Sequence, residues 1–202
     1  ISSNKLEDEG VVYIAKALSI NNTLKEIDLF SVNAGSQSAL EMANMLKINT
    51  TLLVLNMEGN KEMSQKLSNI AKSLEINRTL KEINIYSCPV EMNVFRSFIE
   101  MLKINKSLNV VRLEADRLTE SHLYLLIEVL ETNNCLTELR IKSFIEHCLS
   151  PNDHLIELLI NALENHKFLQ IFLDYTTVVH YKLSREFLKL MKRKKTFGNL
   201  FH

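Results

Sequence analysis

Residues that could bind a metal or act as nucleophiles gather at one place in the sequence. Glu146, His147 and Cys148 stand together, and Asp153 and His154 follow a few residues later. Thiolate and imidazole groups are ligands that zinc prefers, and four of them must converge in a closed site. This spacing fits no structural zinc module, so we interpret the cluster as a polar surface loop. An exposed Cys148 would be an oxidisable thiol there.

Other catalytic motifs are absent from the sequence. The chain has only 4 Gly, and their positions allow neither a P-loop nor a G-x-G-x-x-G turn. The 6 His are scattered and suggest no Ser-His-Asp array. Arg112 and Arg140 fall in predicted strands, but nothing marks either one as an arginine finger for nucleotide hydrolysis. We therefore predict a protein that is not an enzyme and uses no cofactor.

Composition narrows the classes of partner. Lys plus Arg and Asp plus Glu each total 24, and a chain of zero formal charge is a poor candidate for general nucleic-acid binding. No apolar run approaches the ~18 residues of a membrane span, so we expect no membrane insertion. The 3 Cys lack the spacing of a disulfide framework, which favours a reducing, cytoplasmic location.

The segments that position these residues follow an internal repeat of 28 residues. The copies begin at Asn21, Asn49, Asn77, Asn105 and Asn133, and a sixth begins 32 residues later at Asn165. Each copy continues as L-x-x-L-x-L, whose last two apolar residues alternate with others as in a strand with one buried face. The apolar trios are Leu24, Ile27, Leu29; Leu52, Leu55, Met57; Leu80, Ile83, Ile85; Leu108, Val111, Leu113; Leu136, Leu139, Ile141; and Phe168, Ile171, Leu173.

Between the trios, apolar residues follow i, i+3, i+4, i+7 spacing, which predicts a helix with one buried stripe. The six stripes are Val11, Ile14, Ala15, Leu18; Ala39, Met42, Ala43, Leu46; Leu67, Ile70, Ala71, Leu74; Phe95, Phe98, Ile99, Leu102; Leu123, Leu126, Ile127, Leu130; and Ile156, Leu159, Ile160, Leu163.

A strand and a helix in each 28-residue unit, with leucines at these offsets, resemble the leucine-rich repeat, and specifically its ribonuclease-inhibitor-like class. The resemblance implies an α/β fold: a right-handed horseshoe-shaped solenoid with parallel strands on the concave face and helices on the convex face. Residues 1–202 would then form one domain of about six units.

The family usually places Asn or Cys three residues after the last strand leucine. Here that position holds Asn4, Val32, Asn60, Cys88, Asp116, Phe144 and Thr176. Only three of these residues fit, which predicts a partial side-chain ladder between the repeats.

The recurrent asparagines are interpreted as helix C-caps in the left-handed conformation. This would explain how a chain with 4 Gly and 2 Pro turns so often. Four of them also open N-x-Ser/Thr sequons, at Asn21, Asn49, Asn77 and Asn105. We interpret these sequons as structural rather than as glycosylation sites.

The two ends of the sequence differ. Ile1 occupies the position of Leu29 one repeat earlier, so we expect the chain to begin inside a repeat of a longer protein. Residues 182–202 predict a capping helix followed by a basic tail. An insertion containing Pro151, an aromatic strand, this helix and the tail give a layout similar to the C-terminal repeat domain of tropomodulins and leiomodins. That resemblance implies binding to the pointed end of actin filaments.

Strand residues that alternate with the buried trio would line the concave face. We predict that a partner protein binds there through Asp28, Phe30, Val54, Asn56, Glu82, Asn84, Tyr86, Val110, Arg112, Glu114, Arg140, Lys142 and Phe172. The middle position of each strand runs from Asp28 through Asn56 and Asn84 to Arg112 and Arg140, so zero net charge would hide a polarised face. The aromatic members are of the type that forms interface hot spots.

These features favour a non-catalytic protein–protein interaction module, with no nucleic acid and no membrane among its partners. Three alternatives stay open: a tropomodulin-like regulator of actin pointed ends, the repeat region of a larger receptor or scaffold, and a bacterial effector acting on a host protein. The effector would act in the host cytosol, and a composition rich in Lys, Asn and Ile is compatible with it.

Overall fold

A computed structural model describes residues 1–116, 119–143, 153–164 and 170–175. Helices and strands alternate along these segments, as the repeat predicts. The elements are α1 (Glu7–Ile20), β1 (Glu26–Asp28), α2 (Ser36–Ile48), β2 (Val54–Asn56), a 3₁₀ helix (Lys61–Lys66), α3 (Leu67–Leu74), β3 (Glu82–Asn84), α4 (Met92–Ile104), β4 (Val110–Ala115), α5 (Glu120–Thr132), β5 (Glu138–Ser143), α6 (Asp153–Glu164) and β6 (Gln170–Tyr175).

The six strands form one parallel sheet in chain order, from β1 to β6. Neighbouring strands pair residues that are one repeat apart, so that Glu26 lies opposite Val54 and Val54 opposite Glu82. The longer last unit keeps this pattern, because Glu138 lies opposite Gln170. Parallel neighbours need a crossover, which a helix supplies in each repeat. The predicted α/β repeat architecture is confirmed, and its horseshoe curvature stays a prediction.

The core lies between the helices and one face of the sheet. The four predicted helix stripes of α2 to α5 are buried throughout. In the first repeat, Ile14 is only partly buried and Leu24 is 39% exposed. Of the stripe predicted in α6, only Leu159 falls among the described side chains, and it is buried.

Asn21, Asn49, Asn105 and Asn133 directly follow their helices, whereas Asn77 lies two residues past Glu75, the C-cap of α3. The predicted left-handed conformation is wrong at all five positions, and Asn165 lies outside the described residues. Asn49 is extended, with φ −70° and ψ 127°, and Asn105 has φ −71° and ψ 127°. The side chain does the capping instead. Asn105 Nδ2 donates to the carbonyls of Leu74, at 2.7 Å, and Asn77, at 3.1 Å, in the preceding repeat. Its Oδ1 accepts from the next N–H groups of its own turn, at residues 107 and 108.

The same four contacts recur at three further asparagines, so the side chains form a ladder along the helix ends. These are Asn49, Asn77 and Asn133, all buried like Asn105. We call these four residues the helix-end ladder. Asn21 occupies the same position in the first repeat but is exposed, and its Oδ1 accepts from Thr23 and Leu24. A buried amide that makes all these bonds satisfies backbone groups which a helix end would otherwise leave without partners.

The ladder also explains three of the four sequons. The hydroxyls of Thr51, Thr79 and Ser107 donate to the carbonyl of the asparagine one repeat earlier. Glycosylation would modify the side-chain nitrogens of Asn49 and Asn77, but these nitrogens are buried and donate hydrogen bonds to backbone carbonyls. The structural interpretation of these sequons, Asn105 included, is therefore confirmed.

Left-handed residues recur at the ends of strands, and Glu7 at the start of α1 is the one helix residue among them in the described part of the chain. Ser31, Gly59 and Ser87 have φ of 51°, 81° and 56°, and Ser3 has 58° at the same repeat position. At three of these turns, serine therefore adopts a left-handed conformation that only glycine adopts without strain. At Gly59 an added Cβ would also lie 3.3 Å from the Cβ of Ser31, so the neighbouring repeat limits the side chain there.

A second side-chain ladder at the strand ends is partial, as predicted. Asn60 Nδ2 donates to the carbonyls of Leu29 and Met57, each at 2.9 Å. Its Oδ1 accepts from the N–H groups of residues 32 and 34. Cys88 continues the ladder, since its Sγ lies 3.1 Å from the carbonyl of Asn60. Asp116 is exposed and does not extend it.

Candidate binding face

The side chains that alternate with the buried strand residues share one side of the sheet, because successive residues of a strand point to opposite faces. All are exposed or half-buried. We call this set the outer sheet face; it comprises Glu26, Asp28, Phe30, Val54, Asn56, Glu58, Glu82, Asn84, Tyr86, Val110, Arg112, Glu138, Arg140 and Lys142.

The two arginines of this face are held by carboxylates, which lie on the neighbouring strands for Arg112 and on the same strand for Arg140. Arg112 Nη1 bonds Glu82 Oε1 on β3, and its Nη2 lies 2.9 Å from Glu138 Oε1 on β5. Arg140 Nε also donates to Glu138 Oε1, at 2.9 Å. Burial opposes the charge of Arg112, but the two carboxylates outweigh it and raise the pKa of the guanidinium. These bonds link β3, β4 and β5 across their exposed side.

The amino-terminal strands carry acidic groups without such cations. Asp28 Oδ1 accepts from Asn56 Nδ2 at 2.9 Å, and Asn84 Nδ2 donates to Glu58 Oε2 at 2.8 Å. Asp28 and Glu58 form no ion pair among the described residues. The predicted charge gradient is therefore an acidic region on β1 and the turn after β2, next to a charge-paired region on β3 to β5.

Apolar side chains are interspersed with the charges. Phe30 is 38% exposed on the loop that follows β1. Val54 and Val110 are half-buried on β2 and β4, and Tyr86 is half-buried after β3. Aromatic groups flanked by polar ones are the usual centre of a protein interface.

One residue that the sequence pattern places on the binding face, Glu114, is buried in the structure. Glu114 is 1% exposed, and its Oε2 accepts from the N–H of Ser87 at 3.0 Å. The segment after β3 covers it, because Val90 bridges to Ala115 at the end of β4. Glu114 therefore supports the turn after β3 and does not belong to the outer sheet face.

Two other predicted residues lie at the far end of the sheet. Lys142 is half-buried on β5 and lies opposite Asp174. Phe172 lies on β6 opposite Arg140, and its side chain is outside the described residues. Glu138 was not among the predicted site residues, although it contacts both arginines. Because Glu138 lies one repeat after Val110, the sequence does place it on the same face of the sheet. Its contact with Arg112 is diagonal between strands and depends on side-chain conformation.

The described residues offer no alternative chemistry. Of the predicted polar loop, 144–152 lies outside them, and His154 is an exposed residue of α6. No group of three potential ligands within the described ranges could hold a metal ion. Burial raises the pKa of the Cys88 thiol to about 12, which leaves it protonated and unreactive. No helix in the described part of the chain is long and apolar enough to cross a membrane.

Comparison with known proteins places the fold. No protein-family model and no curated protein matches the chain. Among solved structures, actin-binding site 2 of leiomodin-1 has a TM-score of 0.60 at 19% identity, over 78% of this chain and 88% of that one. The C-terminal domain of Caenorhabditis elegans tropomodulin has a TM-score of 0.58 at 11% identity, over 93% of this chain and 98% of that one. The fold of this chain is therefore similar to that of these leiomodin and tropomodulin domains.

Proposed function

We propose that this chain is a non-catalytic module that binds a partner protein through its outer sheet face. The observation that carries the proposal is a sheet face whose described side chains are exposed or half-buried and several of whose polar groups are already held by hydrogen bonds and ion pairs. Arg112, Glu138 and Arg140 form one connected group, and Asp28 is held by Asn56. Side chains ordered before binding lose little conformational entropy on association.

The chemistry of the face indicates what kind of surface it would bind. Glu26 and Asp28 are exposed and acidic, and Phe30 lies beside them. A complementary partner surface would place basic side chains around a pocket for the phenyl ring. The charge-paired arginines would lie at the edge of that contact, and a reducing, cytoplasmic location belongs to the same proposal.

Actin is the specific partner that the comparisons favour. One similar structure is an actin-binding site of leiomodin and another is a tropomodulin domain. We therefore propose actin, with regulation of the pointed end as the activity. No specific observation favours the alternatives of a receptor or scaffold region or a host-targeting effector.

Pointed-end elongation of pyrene-labelled actin, with barbed ends blocked, tests this activity. We expect the wild-type chain to slow elongation at micromolar concentration and a Glu26→Lys, Phe30→Ala double variant to lose that effect. Tyr13→Ala is the matched control, because Tyr13 is 62% exposed on α1, away from the sheet. No effect of the wild-type chain would remove actin as the partner, and equal effects of both variants would remove the face.

A further inference from the structure

Exposed isoleucines form a row along the carboxyl-terminal ends of the helices. Ile20 is 87% exposed, Ile48 60%, Ile76 59% and Ile104 52%. They recur every 28 residues, each directly before the recurrent asparagine of its repeat. Apart from Ile1, they are the exposed isoleucines among the described residues. We call these four residues the isoleucine row.

The fold itself does not require isoleucine at this position. A side chain this exposed gains little from burial, and β-branched residues are not strong helix formers. The fifth repeat places Thr132 there, also exposed, and its ladder asparagine makes the same four bonds as the others. A polar residue is therefore compatible with the helix end.

The helix-end ladder fixes the row on the molecule. Asn49 Nδ2 donates to the carbonyl of Asn21, and Asn77 Nδ2 to the carbonyl of Asn49, so the chain segments that carry successive isoleucines are joined. Packed helices lie about 10 Å apart, so the four side chains span about 30 Å. That is the length of an α-helix of about 20 residues.

The surroundings of the row are basic, although the whole chain has zero formal charge. Five exposed basic residues lie within four positions of its members: Lys16, Lys47, Lys72, Arg78 and Lys106. The acidic residues within the same distance are Glu75 and Glu100, and Glu100 pairs with Lys103, so basic residues outnumber acidic ones along the row.

We propose that the isoleucine row is a second docking surface, which binds an acidic amphipathic helix of a partner protein. Seven residues of an α-helix advance about 10.5 Å, close to the spacing of the row. Apolar residues at heptad spacing would thus meet successive isoleucines, and flanking Glu or Asp would meet the lysines. The surface lies at the helix ends and is independent of the outer sheet face.

Fluorescence anisotropy with a labelled synthetic helix tests the proposal. The probe carries leucines at heptad spacing and glutamates beside them; a second probe has lysines instead of glutamates. We expect the acidic helix to bind the wild-type chain and the basic one not to bind. Changing all four isoleucines to Thr, the residue of the fifth repeat, should weaken binding by about ten-fold or more.

The controls separate lost contact from lost folding. The quadruple variant should keep the melting temperature of the wild type, because each replaced side chain is exposed. A Tyr13→Thr, Tyr124→Thr variant, which removes exposed aromatic groups outside the row, should bind the acidic helix normally. Equal binding of both probes, or unchanged binding by the quadruple variant, would overturn the proposal.

Two further outcomes would replace the proposed occupant with another. If neither helix binds but vesicles containing phosphatidylserine bind the wild type and not the quadruple variant, the row contacts a membrane. If light scattering shows a dimer of the wild type that the quadruple variant lacks, the row joins two copies of the chain. Either result would overturn the partner-helix proposal.

Discussion

The amino-terminal and carboxyl-terminal repeats share one architecture but end their strands differently. β1, β2 and β3 have 3 residues each, whereas β4, β5 and β6 have 6. After the short strands, the chain turns through left-handed residues such as Ser31 and Gly59. The helix-end ladder, in contrast, continues from Asn49 to Asn133.

The difference coincides with a change at one repeat position, which holds Asn60 and Cys88 after β2 and β3 and Asp116 after β4. Where it holds Asn60, the side chain bonds the backbone on both sides of the turn and the strand stops. Where it holds Asp116, that ladder is missing, and the backbone pairs instead: Val90 N donates to Glu114 O and Asp116 N to Val90 O. A side chain that hydrogen-bonds the backbone N–H and C=O groups thus replaces the bonds that further strand pairing would supply.

The strongest test of this comparison is the ladder that both regions share. Asn105→Ala should lower the free energy of unfolding by about 4 kcal/mol, because it leaves two carbonyls and two N–H groups without partners in the interior. Asn21→Ala is the matched control at the exposed first position and should cost less than about 1 kcal/mol. Urea denaturation measures both, and equal losses would show that the interior bonds do not matter.

Substitutions at the strand-end position should affect the stability of the two regions differently. Asn60→Ala should cost about 3 kcal/mol, since it removes the bonds that hold the turns after β1 and β2. Asp116→Ala occupies the same repeat position and should change stability by less than about 0.5 kcal/mol, because Asp116 is exposed. The same denaturation measurement applies, and a large loss at Asp116 would contradict the account of the longer strands.

Acid should act on the carboxyl-terminal region through His122. Its Nδ1 accepts from the N–H of Thr119 at 3.1 Å, and its ring contacts Phe95 with centroids 4.6 Å apart. Burial lowers the pKa of His122 to about 4, from 6.5. The unfolded chain therefore binds a proton more readily, so stability falls as the pH drops from 6.5 towards 4.

This effect amounts to about 2 kcal/mol between pH 8 and pH 5. His122→Gln keeps a side-chain acceptor at the helix start but does not titrate. The difference between wild-type and variant pH profiles, from thermal unfolding, isolates the histidine. Parallel profiles across that range would show that His122 is not held neutral.

The smallest effect is expected from the charge-paired face. Arg112→Met should cost about 1 kcal/mol, since its ion pairs with Glu82 and Glu138 are partly exposed. The loss should shrink in 1 M salt, which screens such pairs. Arg96→Met, at an exposed residue of α4, is the control with no expected loss. A loss that is independent of salt would indicate packing rather than charge.

Sequence periodicity could predict the strands, the helices and nearly all of the core, because apolar spacing determines which face is buried. It could also predict that the strand-end ladder is partial, from Asp116. It could not predict how Asn49 caps its helix, since extended and left-handed asparagines look alike in sequence. It also placed Glu114 on the exposed face, because burial there depends on the loop through Ser87 and Val90.

The outer sheet face shows the same limit. Alternation predicted that Arg112 and Arg140 point outward, and they do. The contacts with Glu138 decide whether those arginines are available to a partner, and the contact between Arg112 and Glu138 joins two strands. Such diagonal pairs depend on side-chain conformation, which the spacing of residues does not specify.

Binding through the outer sheet face is tested most directly by calorimetric titration of actin monomers with three forms of the chain. We expect the Glu26→Lys, Phe30→Ala variant to bind about ten-fold more weakly than the wild type, a loss of about 1.4 kcal/mol. We expect the Tyr13→Ala variant to bind as the wild type does. If the wild type binds actin and the Glu26→Lys, Phe30→Ala variant binds it with the same affinity, binding through the outer sheet face is contradicted.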